Sequence, residues 1–178
     1  QDPAFDPDAT VLEQVFRGES PQLDVVRRYE EAVQQAAAEP ENKAARQKLL
    51  ALQQEMDSKF AWQMESEAKA VLDKLGITDL QQPMKELSGG QRKRVALAGV
   101  LVRPSDLLIL DEPTNHMDNE TVAWLEEVLQ KRKGALLMVT HDRYFFDRVV
   151  NRTLEIDGGE GYLYTGNYSL FLQKREER

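Results

Sequence analysis

Cysteine is absent from this 178-residue chain, and histidine occurs only twice. The first absence excludes disulfides, thiolate metal centres and cysteine nucleophiles together, and suits a reducing compartment such as the cytoplasm. The second leaves too few imidazoles for a structural zinc site. Long apolar runs are missing as well. Leu107 to Leu110 and Ala135 to Val139 fall far short of the roughly 20 residues a membrane-spanning helix needs. No signal peptide is recognisable, so no direct membrane insertion is expected. Positive charge is scarce: 23 Lys and Arg stand against 31 Asp and Glu, for a net charge of −8. That balance argues against a free-standing, non-specific nucleic-acid binder, which would carry a basic field. No internal repeat or low-complexity stretch interrupts the chain. A composition of 41% apolar and 30% charged residues is that of a globular protein with a core of its own.

The first half reads as helical. Thr10 and Glu13 have the spacing of a capping box, and Val11, Leu12, Val15 and Phe16 give the short helix that follows one apolar face. From Pro21 to Ser58 two runs of apolar residues recur at spacings of three and four: Leu23, Val26, Tyr29, Val33 and Ala36, then Ala45, Leu49, Leu52 and Met56. The break at Glu39-Pro40-Glu41-Asn42 turns them into an antiparallel helical hairpin. A further helix is predicted from about Trp62 to Leu75, with Ala68, Val71, Leu72 and Leu75 on one face and Gly76 as its left-handed cap. Ile77 to Glu86 reads as a loop.

The second half changes texture. Leu107 to Leu110 and Ala135 to Val139 read as buried strands, and the helical pattern of Val122, Leu125, Val128 and Leu129 lies between them, which makes a βαβ unit with a parallel sheet. Thr153 to Asp157 and Tyr162 to Tyr164 form a strand pair around Gly158-Gly159. A last helix opens near Asn167.

Three segments carry chemistry. In Leu87-Ser88-Gly89-Gly90-Gln91, Ser88 is a preferred N-cap and Gln91 is placed to complete a capping box, ahead of an amphipathic helix bearing Val95, Leu97, Ala98 and Leu101. The two glycines leave that helix N-terminus bare, which makes it a site for phosphate; the plain alternative is a capped helix start. In Leu107 to Glu112, four apolar residues end in two acids. Ligands bind at the carboxyl ends of strands in open α/β sheets. There Asp111 is a candidate magnesium ligand and Glu112 a candidate general base; the plain alternative is a pair of solvated turn acids. Ala135 to Thr140 is a second strand, and it delivers His141 to the same sheet edge if the two strands run parallel.

In this order and spacing, Leu87-Ser88-Gly89-Gly90-Gln91, Asp111-Glu112 and Thr140-His141-Asp142 resemble the signature, Walker B and switch-histidine series of ATP-binding cassette ATPases. The stretch Asp111-Glu112-Pro113-Thr114-Asn115-His116-Met117-Asp118 is closer to the ABC-F branch, soluble proteins of translation with two cassettes and no membrane domain. The tail Tyr164-Thr165-Gly166-Asn167-Tyr168-Ser169 resembles the end of a first ABC-F cassette. Trp62-Gln63-Met64-Glu65 and the hairpin before it are similar to Uup-like members. Met117 departs from the commoner leucine.

The resemblance implies an α/β fold, a partial P-loop NTPase domain with a parallel-sheet core and an inserted helical subdomain. It divides the chain into residues 1–20 (Q-loop and the way into the helical subdomain), 21–105 (helical subdomain with hairpin and signature), 106–166 (Walker B, D-loop and switch histidine) and 167–178 (the start of an inter-cassette linker). It implies ATP and Mg²⁺ as ligands. Glu112 becomes the base, Asp111 the magnesium-associated carboxylate and His141 a γ-phosphate contact. Gln1 becomes the Q-loop glutamine that senses magnesium, and Asp118 the D-loop aspartate at the cassette interface. Ser88, Gly89, Gly90 and Gln91 would face the nucleotide of an opposing cassette. The implied partners are a second cassette of the same polypeptide and the ribosome or its RNA.

No stretch matches glycine, four residues, glycine, lysine and serine or threonine, the loop whose amides cradle phosphates. The chain also opens at Gln1, without an initiator methionine. The expectation is a fragment that begins after that loop and is inactive alone. Three other identities compete: a transporter subunit, half of a chromosome-maintenance ATPase, or a purely structural piece. The hairpin is too short for the coiled coil the second would need. Its six Lys or Arg and seven Asp or Glu between Pro21 and Lys59 make it no basic patch either.

Overall fold

The computed structural model describes residues 5–176. The chain forms two compact units that divide between Pro104 and Ser105.

The first unit is helical. Helix α1 (Val11–Val15) opens on the expected capping box, in which the Thr10 hydroxyl accepts from the Glu13 amide at 3.2 Å and the Glu13 carboxylate accepts from the Thr10 amide at 2.8 Å. The neighbouring amides of Val11 and Leu12 donate to the carbonyls of Gln82 and Leu80. Those acceptors come from the segment read as a loop. It is pinned against α1, bridges Thr10 to Pro83 and closes in a 3₁₀ turn at Met84–Glu86. The physical reason is that a helix start carries amides without partners of its own, and here a passing strand-like segment supplies them.

Helices α2 (Pro21–Ala38) and α3 (Lys43–Ser58) form the hairpin, with Pro21 in the first helical turn and the Asn42 side chain capping the Ala45 amide. Their antiparallel register is held by the Arg28 guanidinium, bidentate to Glu55 at 2.6 and 2.9 Å and bonded to Asp24 at 2.9 Å. Helix α4 (Trp62–Lys74) follows, with Gly76 left-handed beyond it and Trp62 edge-on to Tyr29. Lys69 of α4 reaches the buried Glu30 of α2 and its own neighbour Glu65. Burial pushes the Glu30 carboxyl above the ordinary carboxylate range, and Lys69 partly offsets this. Helix α5 (Gly89–Val102) departs from the amphipathic expectation. Val95, Leu97, Ala98 and Gly99 are all buried, a wide arc of the helix, because α1 and α4 both pack on it.

The second unit is α/β. Strands β1 (Leu107–Asp111) and β2 (Ala135–Val139) pair in parallel from Leu107 opposite Ala135 to Asp111 opposite Val139, and helix α6 (Asn119–Lys131) makes the crossover. Gly134 at the start of β2 has φ +102°, and an added Cβ would stand 2.8 Å from the Asp106 carbonyl oxygen, so only glycine fits there. The expectation of fully buried strands is corrected. Leu108, Leu110 and Met138 are buried, whereas Leu107, Ile109, Leu137 and Val139 are more than half exposed. Burial alternates along both strands, so one face of this two-stranded sheet is covered and the other is open among the described residues.

Helix α7 (Arg143–Val149), which the sequence reading did not separate from the motif before it, starts on Asp142, whose carboxylate accepts from the Phe145 amide at 3.0 Å. Strands β3 (Arg152–Asp157) and β4 (Glu160–Thr165) form an antiparallel hairpin around Gly158-Gly159, both at positive φ as a tight primed turn requires. Helix α8 (Tyr168–Glu176) seats Phe171 against Tyr164, and the Asn167 side chain accepts from the Leu170 amide.

Candidate functional site

Parallel register brings the second unit's chemistry together. Asp111 and Val139 are the last paired residues of β1 and β2, so Glu112 and Thr140 emerge side by side from one sheet edge, with His141 next. Glu112 leaves the strand at φ +48°, a left-handed backbone for a residue with a side chain. Its amide donates to the Val139 carbonyl at 2.8 Å. Strain of this kind persists only where surrounding bonds over-determine it, and it concentrates at functional sites.

The Glu112 carboxylate is held asymmetrically. Its Oε2 accepts from the Thr140 hydroxyl at 3.3 Å. Its Oε1 is buried without a hydrogen-bond partner, and the His141 Nε2 stands 3.7 Å away. The His141 side chain is 99% exposed and that of Glu112 is 22% exposed, so the histidine faces solvent while the acid is sheltered. Asp111 is exposed at the strand end. A cleft of about 420 Å³ opens beside His141, lined in part by Arg143, Thr153, Tyr168 and Phe171.

The turn after Glu112 is tight: the Asn115 amide donates to the Glu112 carbonyl, Met117 to that of Thr114, and His116 is left-handed. Thr114 is buried. Asp118 caps α6, one oxygen accepting from the Thr121 amide and the other from the Thr121 hydroxyl, both at 2.9 Å. The Thr121 amide and hydroxyl bonds hold the Asp118 carboxyl below the ordinary carboxylate range. Both its oxygens are thus engaged within its own turn.

In the first unit, α5 opens as the sequence predicts. The Ser88 hydroxyl accepts from the Gln91 amide at 3.3 Å, and the Gln91 side-chain oxygen accepts from the Ser88 amide at 2.8 Å. Gln91 therefore spends its side chain on the cap. A methyl group added at Gly89 or Gly90 would meet no atom within 4 Å. The two glycine amides stand at the positive end of a 14-residue helix.

Gln1 lies outside the described residues. Among the described residues no group of three or more His, Asp or Glu side chains gathers to hold a metal. Asp111, an exposed carboxylate at the strand end, fits magnesium, which binds through one or two carboxylates and completes its shell with water and substrate phosphate. No described helix is long and apolar enough to cross a membrane. The residue without an assigned role in the sequence reading is Thr140, and its signal was the register itself: a hydroxyl one step past the end of one strand, beside an acid one step past the end of its neighbour.

Comparison with known proteins adds relatives. The family model described as ABC transporter matches residues 1–115. The ABC transporter ATP-binding protein YfmR of Bacillus subtilis is 52% identical over the whole chain, which spans 28% of that protein. The energy-dependent translational throttle protein EttA of Mycobacterium tuberculosis is 40% identical over the whole chain, which spans 32% of it. The solved structure titled RNase-L Inhibitor superposes with a TM-score of 0.52 at 22% identity, over 99% of this chain and 29% of that one; it speaks to the fold alone.

Proposed function

Since this chain belongs to the ABC transporter family, in its ABC-F branch, we propose that it forms part of an ATP-hydrolysing cassette of a cytoplasmic protein that works on the ribosome. One observation carries the reading: a sheltered carboxylate, Glu112, tethered at one oxygen and free at the other, at the strand edge that also presents Asp111 and His141.

In this reading the free Glu112 oxygen takes the proton of the attacking water, a contribution of about 10²–10⁴ to rate. His141 contacts the terminal phosphate from its exposed position, and Asp111 supplies a carboxylate to magnesium. Bound magnesium would offset charge on the transferring phosphoryl group. Gln1 would sense the same metal. The Gly89 and Gly90 amides with Ser88 clamp the nucleotide of a second cassette in the same polypeptide, Gln91 fixes that helix start, and Asp118 caps the turn at the cassette interface. The 178 residues contain no phosphate-cradling loop, so the chain alone is inactive, and turnover belongs to the complete protein.

The ribosomal partner rests on the translational relative and on the Thr114-Asn115-His116 stretch. The charge-balanced hairpin adds nothing to it. The test uses the full-length protein with Glu112→Gln. The expected result is retained ATP binding, phosphate release reduced about 10²–10⁴-fold, and ATP-dependent co-sedimentation with ribosomes. Unchanged turnover would remove Glu112 from its role. Absence from the ribosomal pellet under trapped conditions would favour a transporter subunit instead.

A further inference from the structure

We propose that Thr140 is a positioning residue for hydrolysis, its hydroxyl linking the Glu112 carboxylate to the turn that carries His141. The inference deepens the ATPase reading and rests on it. The Thr140 hydroxyl donates to Glu112 Oε2 at 3.3 Å and accepts from the Asp142 amide at 3.1 Å. A threonine hydroxyl has one proton. With the Asp142 amide on one of its lone pairs, that proton is left for the carboxylate, and an ionised carboxylate only accepts. The relay therefore has one direction, from Asp142 N–H through Thr140 to Glu112.

The consequence falls on the other oxygen. Tethering Oε2 turns Oε1 toward the side of His141, where it is buried and unpartnered. This is the oxygen free to receive a proton. The backbone needs the same help, because Glu112 sits at φ +48° and its amide is held by Val139. Two consecutive residues at the end of β2 thus hold Glu112, one by main chain and one by side chain. The Asp142 side chain meanwhile caps α7, so one turn fixes the acid, the histidine between them and the helix that follows.

Thr140→Val keeps the shape and removes the hydroxyl; Thr140→Ser keeps the hydroxyl. In the full-length protein, Thr140→Val is expected to lower kcat for ATP about 10- to 100-fold, the scale of losing one bond to a charged group, with KM within about 3-fold. Thr140→Ser stays within about 3-fold of wild type. In a Glu112→Gln background, Thr140→Val adds no further loss, since groups acting as a unit are not additive. Wild-type kcat in Thr140→Val, an equal loss in Thr140→Ser, or a full additional loss beside Glu112→Gln would each overturn the proposal. Hydrogen exchange of the Asp142 amide in this 178-residue chain reads the relay without ATP: faster exchange in Thr140→Val and not in Thr140→Ser supports it, and equal exchange in all three overturns it. Absent turnover in the wild-type full-length protein would instead count against the ATPase reading.

Discussion

Gly90→Ala separates a glycine kept for folding from one kept for a ligand. Gly90 is the second residue of α5, and a Cβ built there meets nothing within 4 Å. Its backbone is not among the left-handed glycines. Alanine at such a position restricts the unfolded chain and strains nothing, which stabilises by about 0.4–1 kcal/mol. For a unit of about 100 residues each kcal/mol moves the melting temperature by about 4–8 °C, so a rise of about 2–8 °C is expected. Calorimetry on the 178-residue chain checks it. The same methyl group would add bulk at the helix start, where the proposed phosphate would have to approach the glycine amides. Phosphate release by the full-length protein is therefore expected to fall at least about tenfold, a loss of about 1.4 kcal/mol in transition-state stabilisation. A lower melting temperature would mean the glycine serves the fold, and normal turnover would mean the helix start is only a cap.

Gly134→Ala should act the opposite way: φ +102° and a Cβ 2.8 Å from the Asp106 carbonyl give a loss of about 2–4 kcal/mol. Urea unfolding of the second unit, followed by Trp124 in a Trp62→Phe background, measures it, with Gly158→Ala, which is left-handed at φ +58° but uncrowded, losing only about 1–2 kcal/mol. In the hairpin, bonds from Arg28 first and Lys59 second pull the Glu55 carboxyl down from 4.5 to about 2. A depressed acid gives stability that is present above its unfolded value and lost as protons bind, so the melting temperature should fall from pH 4.5 toward 2. Glu55→Gln should start lower and flatten that limb; parallel curves for the two proteins would show that the pair contributes nothing.

What the sequence disclosed was set by local chemistry. The boxes at Thr10 and Ser88, the break after Ala38 and the turn at Gly158-Gly159 each depend on residues within a few positions of one another, and each stands where it was expected. Periodicity was a weaker guide wherever its meaning depended on neighbours. Val95, Leu97 and Ala98 read as one face, yet α5 is covered on more than one side. The apolar run of β1 reads as fully buried, yet Leu107 and Ile109 lie on the uncovered face. The segment from Ile77 to Glu86 carries no pattern of its own because its partner, the start of α1, is about 70 residues away.

The candidate base shows the same limit from the other side. That Asp111, Glu112 and His141 share an edge follows from two apolar runs and an intervening helix, because parallel strands end together. Which acid is sheltered does not follow, since two adjacent carboxylates look alike in a sequence. The difference is made by one residue of left-handed backbone. At φ +48° the chain turns Glu112 back toward the end of β2, where Val139 and Thr140 receive it, while Asp111 stays exposed on the strand. Sheltering one carboxylate while its neighbour stays exposed is thus a property of the strand exit. Glu112→Gly would relieve the left-handed strain and loosen the backbone while removing the acid, so it changes conformation and chemistry at once. Glu112→Gln keeps the turn, which is why it is the cleaner probe of the chemistry.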